Sequence, residues 1–410
     1  MKSPTIDRRR FLLGSGVLAA LGVVGGVTTV TWEDLTSAAH ERPRAIGDGV
    51  VVIVTMYGGN DGINTVIPYA DNAYHDNRPE LAYAPQDVLH LDDRLGLNPA
   101  MTGLAKQWQN GSLAIVRGVG YPEPDHSHFR SMDIWQTARP QSAVHTGWIG
   151  RWLDATGDDP LRAVCVGPVL PMLAIGETTT AAALSTSGQG LATSAVGTLT
   201  SLGADQSGDS PAEAMVCSSY RAEKTMTSTF GPLLAGTQKH TASGTQGAKG
   251  RGGSSLADQL ATVATCVKAG VPTKVYSVSI SGFDTHADER ETQQRLLGQL
   301  DSALSGFLTE MAADPRGRDV VVMAYSEFGR RVKANASEGT DHGTAGPVLV
   351  AGAPVHGGFY GDEPSLTDLD DGDLKVTTDF RDVYAELIDR ALGGDPTPAV
   401  GPGRKPIGFL

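Results

Sequence analysis

Short β-branched runs alternate with amphipathic helical patterns along most of this chain, and that alternation leaves few folds open. The runs at 50–56, 113–119, 166–170, 274–280, 319–325 and 348–351 are short and rich in β-branched and other apolar residues. Strands of that kind are buried on both faces. The clearest helical pattern, 290–312, carries Leu296, Leu297, Leu300, Leu304, Phe307, Leu308 and Met311 at spacings of three and four, and Asp314-Pro315 ends it. At 255–269, Ser255 and Asp258 suit an N-terminal cap, Leu256, Leu260, Val263 and Val267 form a stripe, and Gly270 stops the helix. A last helix at 379–392 turns Phe380, Val383, Tyr384, Leu387 and Ile388 inward. Such an order predicts an α/β fold: a mostly parallel sheet with helices on both faces. Trp135, Trp148 and Trp152 are expected in its core.

Two stretches fall outside this pattern. Residues 176–254 are rich in Ser, Thr, Ala, Gly and Gln with little periodicity, and read as an insertion over the sheet, part helical, with 236–254 a mobile loop. At the other end, Asp7-Arg8-Arg9-Arg10-Phe11-Leu12 precedes a Gly- and Ala-rich apolar stretch at 11–30 and the small residues Ser37-Ala38-Ala39. This predicts a twin-arginine signal cut after Ala39, with the twin-arginine export machinery as a partner. An uncleaved membrane anchor is the competing reading, because the run approaches spanning length. Residues 40–410 are then a single domain, secreted or held in the periplasm or cell envelope.

The formal charge of the whole chain is −13, and it becomes −14 without residues 1–39, which carry four cations against three acids. That balance disfavours nucleic acid and anionic membrane surfaces as partners. A small anionic substrate stays possible, since a metal or an Arg reverses the sign inside one cleft. Cys165, Cys217 and Cys266 are too few and too scattered for a disulfide framework or a cysteine zinc site.

The unusual polar residues sit where α/β sheets bind ligands, just past strand ends. Tyr57-Gly58-Gly59-Asn60-Asp61-Gly62 follows the first run, and Asp125-His126-Ser127-His128-Phe129 comes after the second. Gly282-Phe283-Asp284-Thr285-His286 and Ser326-Glu327-Phe328-Gly329-Arg330-Arg331 follow two more, and Gly339-Thr340-Asp341-His342-Gly343 precedes the last. Asp, Glu and His at that density suit one shared site for one or two divalent ions, zinc or manganese. Taken singly, each motif has a plainer reading as a turn, a helix cap or a surface pair.

Gly-Gly-Asn-Asp-Gly, Ser-His-Phe, Phe-Asp-Thr-His, Ser-Glu-Phe-Gly-Arg-Arg and Gly-Thr-Asp-His-Gly, in that order, resemble the bacterial family called domain of unknown function 1501 over residues 48–395. That family is grouped with the alkaline phosphatase superfamily. The resemblance implies an alkaline phosphatase-like α/β fold, two adjacent metals and a nucleophile at a helix N-terminus. Asp61 then resembles the first aspartate ligand and Ser127 the nucleophile, while Asp284 and His286 resemble ligands of the other metal. By motif spelling Asp341 and His342 match the superfamily's Asp-His-Gly. By strand order that place belongs to Glu327 and Phe328, with His342 the final histidine, and strand order is preferred. Glu327 then stands for an aspartate and Phe328 for a histidine, which depletes the second metal set.

The function expected is an exported metal-dependent hydrolase acting on a phosphate or sulfate ester through a metal-activated Ser127. His128 or His126 is expected as general acid or base, or as the missing ligand, and Arg330 with Arg331 as a clamp on the ester oxygens. Ser127 as a simple helix cap is an equal reading. The alternative for the whole chain is a secreted binding protein that kept the fold and one metal.

Overall fold

The computed structural model describes residues 28–410 except 31, 158, 168–169 and 185–253. Along the chain come β1 (Thr28–Thr29), α1 (Trp32–Glu41), β2 (Val50–Tyr57), β3 (Val66–Ile67), α2 (Asn72–Asn77), β4 (Leu89–His90), β5 (Gly96–Leu97), α3 (Thr102–Gln109) and β6 (Leu113–Gly120). Next are α4 (His128–Thr137), α5 (Trp148–Thr156), β7 (Ala163–Val166), β8 (Ala182–Leu184), α6 (Leu256–Ala269), β9 (Val275–Ser281) and α7 (Glu289–Ala313). The chain closes with β10 (Val320–Tyr325), β11 (Gly346–Ala351), β12 (Gly358–Tyr360), β13 (Thr378–Asp379), α8 (Phe380–Glu386) and α9 (Thr397–Val400).

Ten strands form the main sheet in the order β1-β8-β7-β9-β2-β10-β11-β6-β12, with β13 beside β6. Among the described strands of this sheet β11 alone runs antiparallel to its neighbours, β10 and β6, while β3, β5 and β4 form a small antiparallel sheet of their own. The sheet is thus mostly parallel, as the alternating pattern predicts, and β2 lies at its centre. Val50, Val52 and Val54 enter the core on the side of α3, α6 and α7. Val51 and Ile53 enter the opposite core, where Trp135, Trp148 and Trp152 are buried with α8. The unbroken apolar run Val50–Val54 in β2 is what a two-faced sheet demands.

The local signals hold where they were sharpest. Ser255 and Asp258 form a reciprocal capping box, and Gly270 closes α6 at φ 75°. The run expected at 166–170 forms instead as β7, Ala163–Val166. The described residues of the stretch expected as an insertion from 176 join the main sheet. Thr180 bridges to Ile175, and β8 pairs in parallel with β7. The remainder, including the loop expected at 236–254, lies outside the described residues apart from Ser254.

The boundary expected after Ala39 falls inside α1. Here β1 pairs in parallel with β8, Val30 N–H donates to Ala183 O at 3.2 Å, and Leu35, Ala38 and Ala39 are buried. The described residues of the stretch 28–39, expected as the end of the signal, thus pack against β8 and the core. No helix among the described residues is long and apolar enough to cross a membrane. Leu35→Ala is expected to lower the unfolding free energy by about 2–4 kcal/mol. A chain beginning at His40 should lose more than one beginning at Thr28, as read by denaturant titration. Equal midpoints for the two chains would show that this edge packing is dispensable.

Candidate metal centre

Parallel strands place their C-terminal ends on one edge of the sheet, and the loops there carry the chemistry. β2 delivers Gly58–Gly62, β9 delivers Gly282–His286 and β10 delivers Ser326–Arg331. Because β11 runs the other way, the β10–β11 connection, with Asp341 and His342, stays at that same edge. β6 leads to the N-terminus of α4, where Ser127 is the cap residue and His128 the first helical one. The first turn is tight. Gly58 has φ 118°, and a Cβ there would lie 2.5 Å from Asp284 N; one on Gly59 would lie 2.2 Å from the Phe328 ring. Only glycine lets these loops approach so closely.

Three histidines converge on one carboxylate oxygen. Asp284 Oδ1 lies 3.0 Å from His286 Nε2, 3.3 Å from His342 Nε2 and 3.4 Å from His128 Nε2. The two ring nitrogens of His286 and His342 are 2.9 Å apart. Two of the rings have their orientation set from behind. His128 Nδ1 faces Glu327 Oε1 at 2.8 Å, and His342 Nδ1 donates to the carbonyl of His126 at 2.7 Å. With Nδ1 protonated, Nε2 presents a bare lone pair toward Asp284. Burial also pushes the His342 pKa down, which keeps that ring neutral. Phe328 packs its ring 4.8 Å from that of His128 and 4.9 Å from that of His342.

This arrangement fits a metal ion. His128 Nε2 is buried and has no hydrogen-bond partner. Lone pairs aimed at a carboxylate repel one another unless a cation sits among them. Ligand atoms on a tetrahedral zinc lie about 3.3 Å from one another, given bonds of about 2.0–2.1 Å. The separations of 2.9–3.4 Å around Asp284 match that edge length. His128, Asp284 and His342 have ligand atoms all within 4.8 Å of one another, and His286 approaches two of them.

Several residues expected at the site take other parts. Arg330 is buried, and its guanidinium is taken up by the protein: it donates to the carbonyls of Gly58, Gly59 (2.5 Å), Phe283 (3.1 Å) and Thr340 (2.9 Å), and to Asp284 Oδ1 at 2.9 Å. Burial opposes ionisation of Asp284, but the Arg330 and His342 contacts outweigh it and hold its pKa down at about 2. Glu327 is no ligand in this arrangement. Its Oε1 also accepts from Gly58 N–H at 2.9 Å and its Oε2 from Ser326 Oγ at 2.9 Å, so it supports His128 from behind. Asp341 is exposed, 3.7 Å from His286 Nδ1, at the rim. Ser127 is exposed, and its side chain caps nothing. Arg331 lies 3.4 Å from Asp373 rather than in the cluster.

Asp61 is fully buried and pairs with Arg78, which also donates to the carbonyls of Val332 (2.8 Å) and Arg331 (2.7 Å). Burial alone would raise the Asp61 pKa; the Arg78 charge outweighs it and keeps the carboxylate ionised. Glu289 is the reverse case: burial first, then the neighbouring Asp61 charge, pushes its pKa up to about 9. It accepts from Thr340 Oγ1 at 2.5 Å. No pattern in the sequence marks Arg78 or Glu289, since each finds its partner only after folding.

A mostly parallel α/β sheet with a His/Asp cluster on its carboxyl edge defines an α/β protein with a candidate metal centre. The chain belongs to the family described as "Protein of unknown function (DUF1501)", which it matches over residues 49–402. Among solved structures it is similar to a protein in the alkaline phosphatase superfamily from Vibrio parahaemolyticus, at 11% identity and a TM-score of 0.44, covering 97% of this chain and 78% of that one. A second similar structure, Ps i-CgsB, shares 8% identity at a TM-score of 0.38, covering 86% of this chain and 76% of that one. No curated protein matches the sequence.

The Glu289 proton has a measurable consequence. Folded Glu289 keeps it up to about pH 9, whereas an unconstrained glutamate releases it near 4.5. Between those values folding takes up a proton, so this group's contribution to stability falls as pH rises and levels off above about 9. Asp61, with its pKa lowered, acts in the opposite sense at acid pH. Glu289→Gln keeps the hydrogen bonds without the titration, so its stability should decline less from pH 5 to pH 9 than the parent's. Identical slopes in denaturant midpoints would mean that Glu289 is already ionised at neutral pH.

Proposed function

We propose that this protein is an exported hydrolase of phosphate or sulfate esters that works with one bound divalent ion. The observation that carries the reading is the convergence of three histidine nitrogens on Asp284 Oδ1, one of them buried without a partner. His128, Asp284 and His342 would hold the ion, with His286 as a fourth ligand. Zinc suits this nitrogen-rich set best, and manganese is the next choice. The ion would act as a Lewis acid on the ester oxygens. Glu327 keeps the His128 ring turned toward the site, and Arg330 fixes Asp284 in place. The free hydroxyl of Ser127, next to His128, is the candidate nucleophile. Its Oγ would bond to phosphorus or sulfur as the ester's P–O or S–O bond breaks, its proton passing through solvent to the departing alcohol oxygen. Water would then hydrolyse the seryl ester to free the acid and restore the hydroxyl. Export rests on the paired arginines before Phe11-Leu12.

A second reading has its own observation. Asp61, the aspartate expected to start a second metal set, is neutralised by Arg78. A chain with one ion and no ester turnover would be a metal-retaining binding protein on the same fold.

Elemental analysis of protein never exposed to chelator should find about one zinc or manganese per chain, lost in Asp284→Asn and His342→Ala. Glu327→Gln should weaken metal affinity by about 10–100-fold. Ser127→Ala should cut hydrolysis of 4-nitrophenyl phosphate or sulfate by at least about 100-fold. No ion in folded protein would sink both readings. An ion without turnover on either ester would favour the binding protein.

A further inference from the structure

His128 is held from behind by a carboxylate, that of Glu327, but His342 is held by a carbonyl, that of His126, at 2.7 Å. A carbonyl orients a ring only as well as its own chain segment is fixed. Here the segment is exposed: residues 125–127 belong to no helix or strand and are open to solvent. Something else has to keep the His126 oxygen in place.

The His126 side chain supplies the connection. Its ring, expected as a general acid or base, puts Nε2 2.7 Å from Asp373 Oδ2. The ring is half-exposed, so apolar burial does not account for the contact, whereas an N–H held by a carboxylate does. Asp373 is buried and is itself well fixed. Its main chain exchanges two hydrogen bonds with Asp370 across a tight turn, at 2.9 and 3.0 Å, and its Oδ1 lies 3.4 Å from Arg331 Nε. Arg331 N–H in turn donates to the carbonyl of Asp341, the residue before His342, at 3.1 Å. Leu374, next to Asp373, accepts from Thr344 Oγ1, two residues past His342. The 370–374 turn therefore braces the chain on both sides of His342, and reaches its ring through His126.

We propose that Asp373 is the positioning residue for His342: it holds the His126 ring, and so sets the main-chain oxygen that keeps the His342 proton on Nδ1 and turns its Nε2 lone pair toward the cluster. Its consequence for an ion rests on the metal reading above and is independent of ester hydrolysis. His126 then acts through its carbonyl, not as a proton carrier.

Two readouts on the full chain test this. Zinc affinity, from competition with a chromophoric chelator, should fall about tenfold in His126→Ala and in Asp373→Ala. The double variant should lie within about threefold of either single one, because the two residues act in series. The second readout needs no metal. Nitrogen NMR of zinc-free, histidine-labelled chain, assigned with His342→Gln, should show His342 protonated on Nδ1 in the parent and a mixture of tautomers in both alanine variants. His126→Ala removes a half-exposed ring and keeps the carbonyl, so it decides the matter even if Asp373→Ala does not fold. An intact His342 tautomer in His126→Ala, unchanged affinity in a zinc-binding chain, or losses that add in the double variant would each overturn the proposal. A parent that binds no zinc yet shows the tautomer change would sink the metal reading alone.

Discussion

One buried guanidinium joins the loops that make the site. Arg330 reaches the carbonyls of Gly58, Gly59, Phe283 and Thr340, so it ties the loop after β2 to the loop after β9 and to the connection before β11. It also reaches Asp284, the oxygen on which the histidines converge. Loops past strand ends have few ladder partners of their own, and their buried carbonyls need donors. A planar fork with five N–H groups supplies several at once, which a lysine does not. The two glycines of the first loop are the other half of this arrangement, since any side chain there would push the strand ends apart.

Charge is arranged in two distinct ways a few residues apart. At Asp61 the protein supplies its own cation, Arg78, and Glu289 holds a proton beside them, so this cluster is satisfied internally. Around Asp284 the arrangement is left open. Glu327 and the His126 carbonyl occupy the outer nitrogens of His128 and His342, and the inner nitrogens face one another. The first set holds loops together; the second has the geometry of a ligand set. Carboxylates that look equivalent in a list of motifs thus serve opposite ends.

Much of the fold was legible. β2, β6, β9 and β10 stand where short runs rich in β-branched and other apolar residues placed them, and α6 and α7 stand where caps and stripes did. Less was legible at the margins. β1 and β8 are two and three residues long, so they carry too little pattern to be seen before they pair. α1 lies in a stretch whose small residues resemble a processing site, yet Ala38 and Ala39 are buried there and the helix packs against α6.

The sequence by itself determined which strand ends carry polar chemistry, because strand and helix periodicity is local and the motifs are contiguous with it. Only the tertiary structure decided what each of those residues does. Asp61 and Asp284 both follow a central strand, but one meets Arg78 and the other meets three histidines. Arg330 reads as a substrate clamp until the carbonyls of three loops are found around it. The physical reason is that the role of an ionisable group is fixed by its partners within a few ångströms. Those partners come from segments up to 272 residues away along the chain.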